Sequence, residues 1–440
     1  MRQRNFGFIL LFIIFVVAPS MATTTIHDDP VVLDGNFAWD TAASSQCVLF
    51  GSPGNESALT FFMNGGEFEQ KSHLYPPVAE AGAQFGRRVS ISSGCRVAVI
   101  CAPRDDQRGV DGGVAFVLEG PGDGSFTHLQ TLYGSDTDAG DNFCSDVSLT
   151  QNGLGVVIGA SYVDKVYVFT RGALGQMFGN EKKFTYTGDD VGGLAGYSVC
   201  AGGDPTLGTM MSVVGIPISY NNDGTDDWFG AIEVREQNRG GANNWGVRNR
   251  ITFTNAERLG WSVACSREDN LAIAGAPLDM TAGGGSGFAP ETTGQGRGKV
   301  YVFKLEGSVS FSILQTLIST SPQDDGEFGR AVSYDDASNT LLVTEPFADV
   351  SGFENQGRAF LYHDNSSLFV RDLTFLPTHQ NSFEEIGLSA FVRGGRAFVG
   401  SPYADFPGQI DSGGAYVVPT AFFRDGFESG NMSAWSSTVP

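Results

Sequence analysis

Seven times along the chain a Phe-Gly, or a close stand-in for it, opens a stretch that closes on a small residue and, in six cases, a proline. In "QFGRRVSISSGCRVAVICAP", Gln84 to Pro103, two short apolar runs lie between those ends, split by Ser-Ser-Gly. An interval of 18 residues separates Phe85 from Pro103, Phe143 from Ser161, Leu259 from Pro277 and Phe328 from Pro346. Weaker copies run from Phe37 to Pro53, Ala195 to Pro217 and Ile386 to Pro402, and the closing positions lie about 58 residues apart. A period of this length marks a chain built from one supersecondary unit, whose apolar faces are covered only by its neighbours.

Each unit holds more than the opening hairpin. After the closing motif comes a Gly or Ala followed by alternating aromatic and β-branched residues, as in "GGVAFVL", "DKVYVFT", "GKVYVFK" and "GRAFLYH". A fourth apolar segment precedes the next opening: "THLQTL" and "SILQTL" both end eleven residues before it. Period-2 alternation with glycine-rich turns predicts four short strands per unit, with no helical periodicity. Seven such units predict an all-β, seven-bladed β-propeller over residues 23–419. The seventh unit has no fourth strand in register. Ile26 stands eleven residues before Phe37, so Thr23 to Ile26 is expected to complete the last blade and leave no open sheet edge there.

The series Phe-Gly … Gly-Ala-Pro resembles the FG-GAP repeat of integrin alpha-subunit heads and of exported bacterial proteins. The bacterial kind is echoed more fully, by "SDTDAGDNFCSDVSL", "APRDDQRGVDGGVAFVL" and "GRGKVYVF". Integrin-type repeats carry calcium loops within the opening hairpin. Here those hairpins are short ("SISSGCR", "SLTQNGLG", "SYDDASN") and lack the loop.

The first residues, "MRQRNFGFILLFIIFVVAPSMATTT", have a basic start, a short apolar run and a small-x-small site, which predicts a signal peptide over 1–22. Residues 420–440 form a short tail that cannot bury a core of its own. No later segment is apolar enough to span a bilayer. Acidic residues outnumber basic ones 49 to 27, for a net charge of −22. That charge repels nucleic acid and anionic membrane surfaces and fits a secreted or cell-surface monomer. Cys47, Cys95, Cys101, Cys144, Cys200 and Cys265 follow the leader, and export permits disulfides. Cys95 and Cys101 lie too far apart on one predicted strand to be joined. Cys200 and Cys265 occupy nearly equivalent first-strand positions in successive units, and Cys101 and Cys144 replace motif glycines in another successive pair, which predicts bridges between blades.

Two acidic clusters are candidate metal ligands. "NNDGTDD" holds Asn221, Asp223, Asp226 and Asp227, and "SDTDAGD" holds Asp136, Asp138 and Asp141. Ca²⁺ takes six to eight oxygens, which such turns supply. Asp and Asn equally build turns through their own backbone bonds, and both readings stand. The same choice applies to Asp105, Asp106, Asp164, Asp279, Asp349 and Asp405, which follow the closing motifs. Thr281 to Gly298 lengthens one loop without a phosphate-loop pattern. The five histidines are scattered, and neither a Gly-x-Ser-x-Gly elbow nor His-Glu-x-x-His is present. No catalytic residue is assigned. The expectation is an exported, non-catalytic propeller that binds a protein or glycan, adhesion-like, with Ca²⁺ as a candidate cofactor. A hydrolase or lyase with carboxylates and aromatics in the central channel is the alternative, and a structural surface-layer component a third.

Overall fold

The computed structural model describes residues 24–26, 35–219, 229–252, 258–278, 296–307, 310–365, 368–377, 381–405 and 412–420. Among these, 28 strands form seven four-stranded antiparallel sheets, and helical structure is confined to single 3-10 turns. No helix among them is long and apolar enough to cross a membrane. Blades 1 to 6 are continuous in sequence: 40–74, 88–132, 146–185, 198–252, 262–317 and 332–375. Blade 7 takes three strands from 389–419 and its outermost from Thr24–Ile26. That strand pairs antiparallel with Gly414–Pro419, setting Thr24 opposite Val417 and Ile26 opposite Ala415. The ring thus closes by joining the two ends of the chain, as the spacing of Ile26 predicts.

Each blade buries both faces against its neighbours. Seven apolar clusters result, one per blade junction. The opening phenylalanines Phe37, Phe85, Phe143 and Phe328 are essentially inaccessible. Phe85 packs on Phe116 at 5.4 Å, Phe143 on Tyr167 at 5.2 Å and Phe328 on Phe360 at 5.2 Å between ring centroids. The aromatic of the third strand is therefore the partner of the motif phenylalanine.

The motif glycines have one shared cause. A Cβ on Gly51, near the end of a second strand, would meet the carbonyl oxygen of Gly86, from the next opening motif, at 1.9 Å. The same contact joins Gly159 to Gly196 at 2.0 Å, Gly215 to Gly260 at 2.1 Å and Gly275 to Gly329 at 2.0 Å. These are the points where successive blades come closest, and a side chain on the second-strand residue would force them apart. The second glycine of each pair also has a positive φ, from 88° to 93°.

At the junction of blades 2 and 3 both glycines are replaced, and Cys101 and Cys144 are bridged with Cα atoms 5.4 Å apart. Cys200 is bridged to Cys265 between blades 4 and 5, and Cys47 to Cys95 between blades 1 and 2. No cysteine is free. One detail differs from the sequence reading. Cys95 ends the turn Ser93–Cys95 rather than lying on a strand, because Gly94 takes φ 73° and breaks the extended run before Val97–Ala102.

Candidate binding site at the channel mouth

The first strand of each blade lines the central channel, and these seven strands contact one another in cyclic order. Their exposed edges carry N–H groups with no strand to pair with, which would leave buried donors unsatisfied. Side chains of the preceding blade fill that need. Asp40 accepts from Val89 N–H and Asp146 from Val199 N–H, both at 2.7 Å. Ser90 accepts from Leu149 N–H, Ser148 from Ala201 N–H and Ser333 from Val392 N–H, each at 3.0 Å. The inner edges of blades 2, 3, 4 and 7 are therefore capped.

The inner strands all run the same way, from the opening motif at one end of the channel to the hairpin turns at the other. The two ends are built differently. At the opening end, the residue after Phe-Gly projects around the rim. It is Trp39, Arg87, Tyr197, Trp261 and Arg330 in blades 1, 2, 4, 5 and 6. Arg87 stacks over Trp39 at 4.2 Å and Arg330 over Trp261 at 4.6 Å. Tyr197 lies 4.7 Å from Trp261, and Tyr403 meets Trp39 edge-on at 6.0 Å. Arg330 also pairs with Glu327 at 3.2 Å. These side chains enclose a space of about 270 Å³.

Below the rim, Arg88 Nε stands 3.4 Å from Asp146 Oδ1. Burial in the wall pushes the Asp146 carboxyl up to about 7, against the opposing pull of Arg88. Asp40 is raised for the same reason. A second space of about 210 Å³ continues downward, still bordered by Asp40 and Asp146.

The far end is crossed by side chains. Gln151, in the turn of blade 3, donates to both carboxylate oxygens of Asp336, in the turn of blade 6, at 3.0 and 2.8 Å. These blades stand on opposite sides of the ring. Arg393 of blade 7 pairs with Asp335 and Asp336 at 3.1 Å each and donates to Ser93 Oγ of blade 2 at 3.3 Å. Ser93 N–H in turn donates to Gln151 O at 2.8 Å. The strut ties blades 2, 3, 6 and 7 across the axis, so bonded polar side chains span this end while the aromatic rim at the other borders open space.

None of the described acidic residues singled out from the sequence lines these two spaces. Asn221, Asp223, Asp226, Asp227 and Asp279 lie outside the described residues, as do residues 1–22 and 421–440. Asp136 accepts from Tyr167 OH at 2.8 Å and pairs with Lys183 at 2.9 Å and Lys165 at 3.0 Å. Burial pushes its pKa up, but bonds from Lys183, Tyr167 and Lys165 prevail and hold it well below the usual carboxylate range. Asp141 stands 3.7 Å from Lys165 and accepts from Asp138 N–H at 3.1 Å. Asp138 accepts from Ala139 N–H at 2.8 Å. Among the described residues no group of three His, Cys, Asp or Glu side chains is arranged to hold a metal ion.

Several carboxylates after the closing motifs organise loops. Asp105 and Asp349 accept backbone N–H groups within their own loops, from Gln107 at 2.9 Å and Asn355 at 3.0 Å. Asp106 accepts from Asp111 N–H at 2.8 Å. Asp164 reaches the next blade, accepting from Gly192 N–H at 2.6 Å and Ala195 N–H at 2.9 Å. Glu56 does the same for Gln84 and Phe85, at 3.0 and 2.6 Å. Asp405 sits exposed past its closing proline. Sequence reasoning passed over the rim residues. Their signal lay in the one variable position beside an otherwise repetitive motif, where Trp, Arg, Tyr, Trp and Arg recur.

Comparison with known proteins agrees with this architecture. The FG-GAP repeat matches residues 68–118, which span the outer strand of blade 1 and the first three strands of blade 2. No curated protein matches in sequence. Among solved structures, U3-55K aligns with a TM-score of 0.54 at 9% identity, covering 90% of this chain and 98% of that one. The WD40 repeats of RRP9 align at 0.53 and 10% identity, covering 90% and 97%. A functionally unknown protein from Desulfotomaculum acetoxidans DSM 771 aligns at 0.46 and 14% identity, covering 79% and 87%. Identities this low concern the fold alone.

Proposed function

Since the chain is an FG-GAP repeat β-propeller, we propose that it acts outside the cell as a non-catalytic binding module. It takes a protein or glycan ligand at the rim of the channel. The observation that carries this reading is the contrast along the axis: half-buried aromatic and guanidinium groups gather at an open end, and a polar strut closes the other. Recognition sites are concave, rich in aromatics and furnished with a few placed polar groups. Three disulfides between successive blades suit an oxidising compartment.

A second reading has its own observation. Asp146 titrates near neutrality beside Asp40 in the channel, a property suited to general acid–base chemistry. The binding reading is preferred because both carboxylates already have work in the wall, accepting backbone N–H groups of the next blade and flanking Arg88. The test is retention of glycans on an array, and of native surface material, by the mature chain and by Trp261→Ala. Retention that depends on Trp261, with recovered ligand chemically unchanged, supports the binding reading. Ligand returned cleaved, with cleavage lost in Asp146→Asn, would replace it with the catalytic one.

A further inference from the structure

Arg87 is the rim cation with no carboxylate bonded to it; Asp40 acts on it only from a distance. Arg88 has Asp146, and Arg330 has Glu327. Arg87 lies over Trp39, and among the described residues its guanidinium has no hydrogen bond or ion pair. Burial, and then the charge of Arg88, bring its pKa down to about 10, so it is still a cation at neutral pH. A partly desolvated charge with no partner is costly and is kept where something else completes it. The planar guanidinium fork matches a carboxylate, with two parallel hydrogen bonds.

We propose that the channel mouth binds a sugar acid, a uronate-type unit of an acidic glycan, with Arg87 pairing with its carboxylate and the aromatics Trp39, Tyr197 and Trp261 bordering its ring. This rests on the reading of the mouth as the ligand site. Three observations select a sugar acid over an acidic peptide. The space of about 270 Å³ lies just below the range of small-molecule pockets and suits one compact ring. The strut crosses the far end of the channel, in the way of an extended segment. The inner edges of blades 2, 3, 4 and 7 are capped by Asp40, Ser90, Asp146, Ser148 and Ser333, so a peptide finds no free edge on those four blades on which to add a strand. Asp40, Asp146 and Glu385 also line the mouth. With a net charge of −22 on the whole chain, they repel a polyanion at long range and leave recognition of a carboxylate to Arg87 at short range.

The test is calorimetric titration of the mature chain at low salt with methyl glucuronide and with galacturonate. Methyl glucoside and N-acetylglutamate serve as controls, and Arg87→Gln as the variant. The expected result is binding of one or both uronates, at least tenfold weaker binding of the neutral sugar and of N-acetylglutamate, and at least a tenfold loss in Arg87→Gln. That variant should melt close to the parent temperature, losing only its stacking on Trp39. Equal binding of methyl glucoside, or undiminished uronate binding by Arg87→Gln, would overturn the proposal. Binding of N-acetylglutamate as tight as that of the uronates would replace the sugar acid with an acidic peptide. A fall in the melting temperature of Arg87→Gln as large as that of Arg393→Ala at the floor would assign Arg87 to the wall and overturn its role. If no sugar acid binds but native ligand is still retained through Trp261, only the sugar-acid proposal falls. If retention ignores Trp261, the reading of the mouth falls with it.

Discussion

The two ends of the channel are made by the same seven strands, yet they differ in kind. At the floor, polar groups find one another: Gln151, Asp336, Asp335, Arg393 and Ser93 satisfy their bonding across the ring. At the mouth, large side chains stand half-buried around open space, and Arg87 finds only an aromatic face. Groups that satisfy each other stabilise the fold; groups left partly unsatisfied in a cavity mark a place for something else. Substitutions at the floor should therefore register in stability, and substitutions at the mouth in binding.

The largest effect tests whether either end exists without the closed ring. Removing residues 23–26 takes away the outer strand of blade 7, including the buried Ile26. The expected loss is about 3–5 kcal/mol from apolar burial and lost backbone bonds, with binding at the mouth lost as well. Thermal melting checks it, and a deletion that melts like the parent would remove the closure argument.

Next comes the floor itself. Arg393→Ala leaves Asp335, whose side chain is 1% exposed, without its cation. The expected destabilisation is about 3 kcal/mol, read by denaturant unfolding, with ligand retention unchanged below the transition. A retention defect in a folded Arg393→Ala protein would blur the distinction between the ends.

The middle of the channel gives a pH dependence. Asp146 is raised in the folded state to about 7 from 3.8, so the folded chain holds a proton that the unfolded chain has released between those values. Its contribution to stability is fully present below about 4 and is lost as pH rises through about 7. Asp40 acts in the same direction. Asp146→Asn keeps an acceptor for Val199 N–H and should flatten this fall by about 2 kcal/mol between pH 5 and 7. Unfolding curves at the two pH values decide it; an unchanged slope would place the titration elsewhere.

The smallest effects lie outside the comparison and serve as its baseline. The strand Gly414–Pro419 is complete, and Thr420 N–H donates to Gly395 O at 2.9 Å, before the tail begins. Removing residues 421–440 should leave the melting temperature and the retention of ligand as they are. A scan of the parent in Ca²⁺, in Mg²⁺ and in chelator, repeated on Asp223→Ala, separates a specific calcium loop at 221–227 from an acidic turn. A specific site predicts a rise in calcium alone, absent from the variant.

Much of this molecule is legible in its sequence because propeller geometry repeats. Seven openings of Phe-Gly or a close stand-in at a regular spacing gave the blade count, and the offset of Ile26 gave the closure. Equivalent positions in successive blades are close in space, which pairs Cys200 with Cys265, and Cys101 and Cys144 stand where other blades carry the motif glycines. The reason for the motif glycines was hidden: Gly51 meets Gly86 across a blade junction, a contact 35 residues apart that no local pattern encodes. The floor was hidden more deeply, since Gln151 and Asp336 are 185 residues apart and each sits in an ordinary hairpin turn. The aspartates after the closing motifs drew attention by recurring, but Asp105 and Asp164 recur because loops need acceptors for backbone N–H groups.

The account stands most directly on one paired measurement: the amount of native ligand retained by the mature chain, by Trp261→Ala at the mouth and by Gln151→Ala at the floor, with all three confirmed folded by melting. The predicted result is loss of retention in Trp261→Ala, at a stability cost of about 1 kcal/mol, and full retention in Gln151→Ala. Equal retention by both variants, or loss in the floor variant alone, would contradict the claim that this propeller binds at its open end.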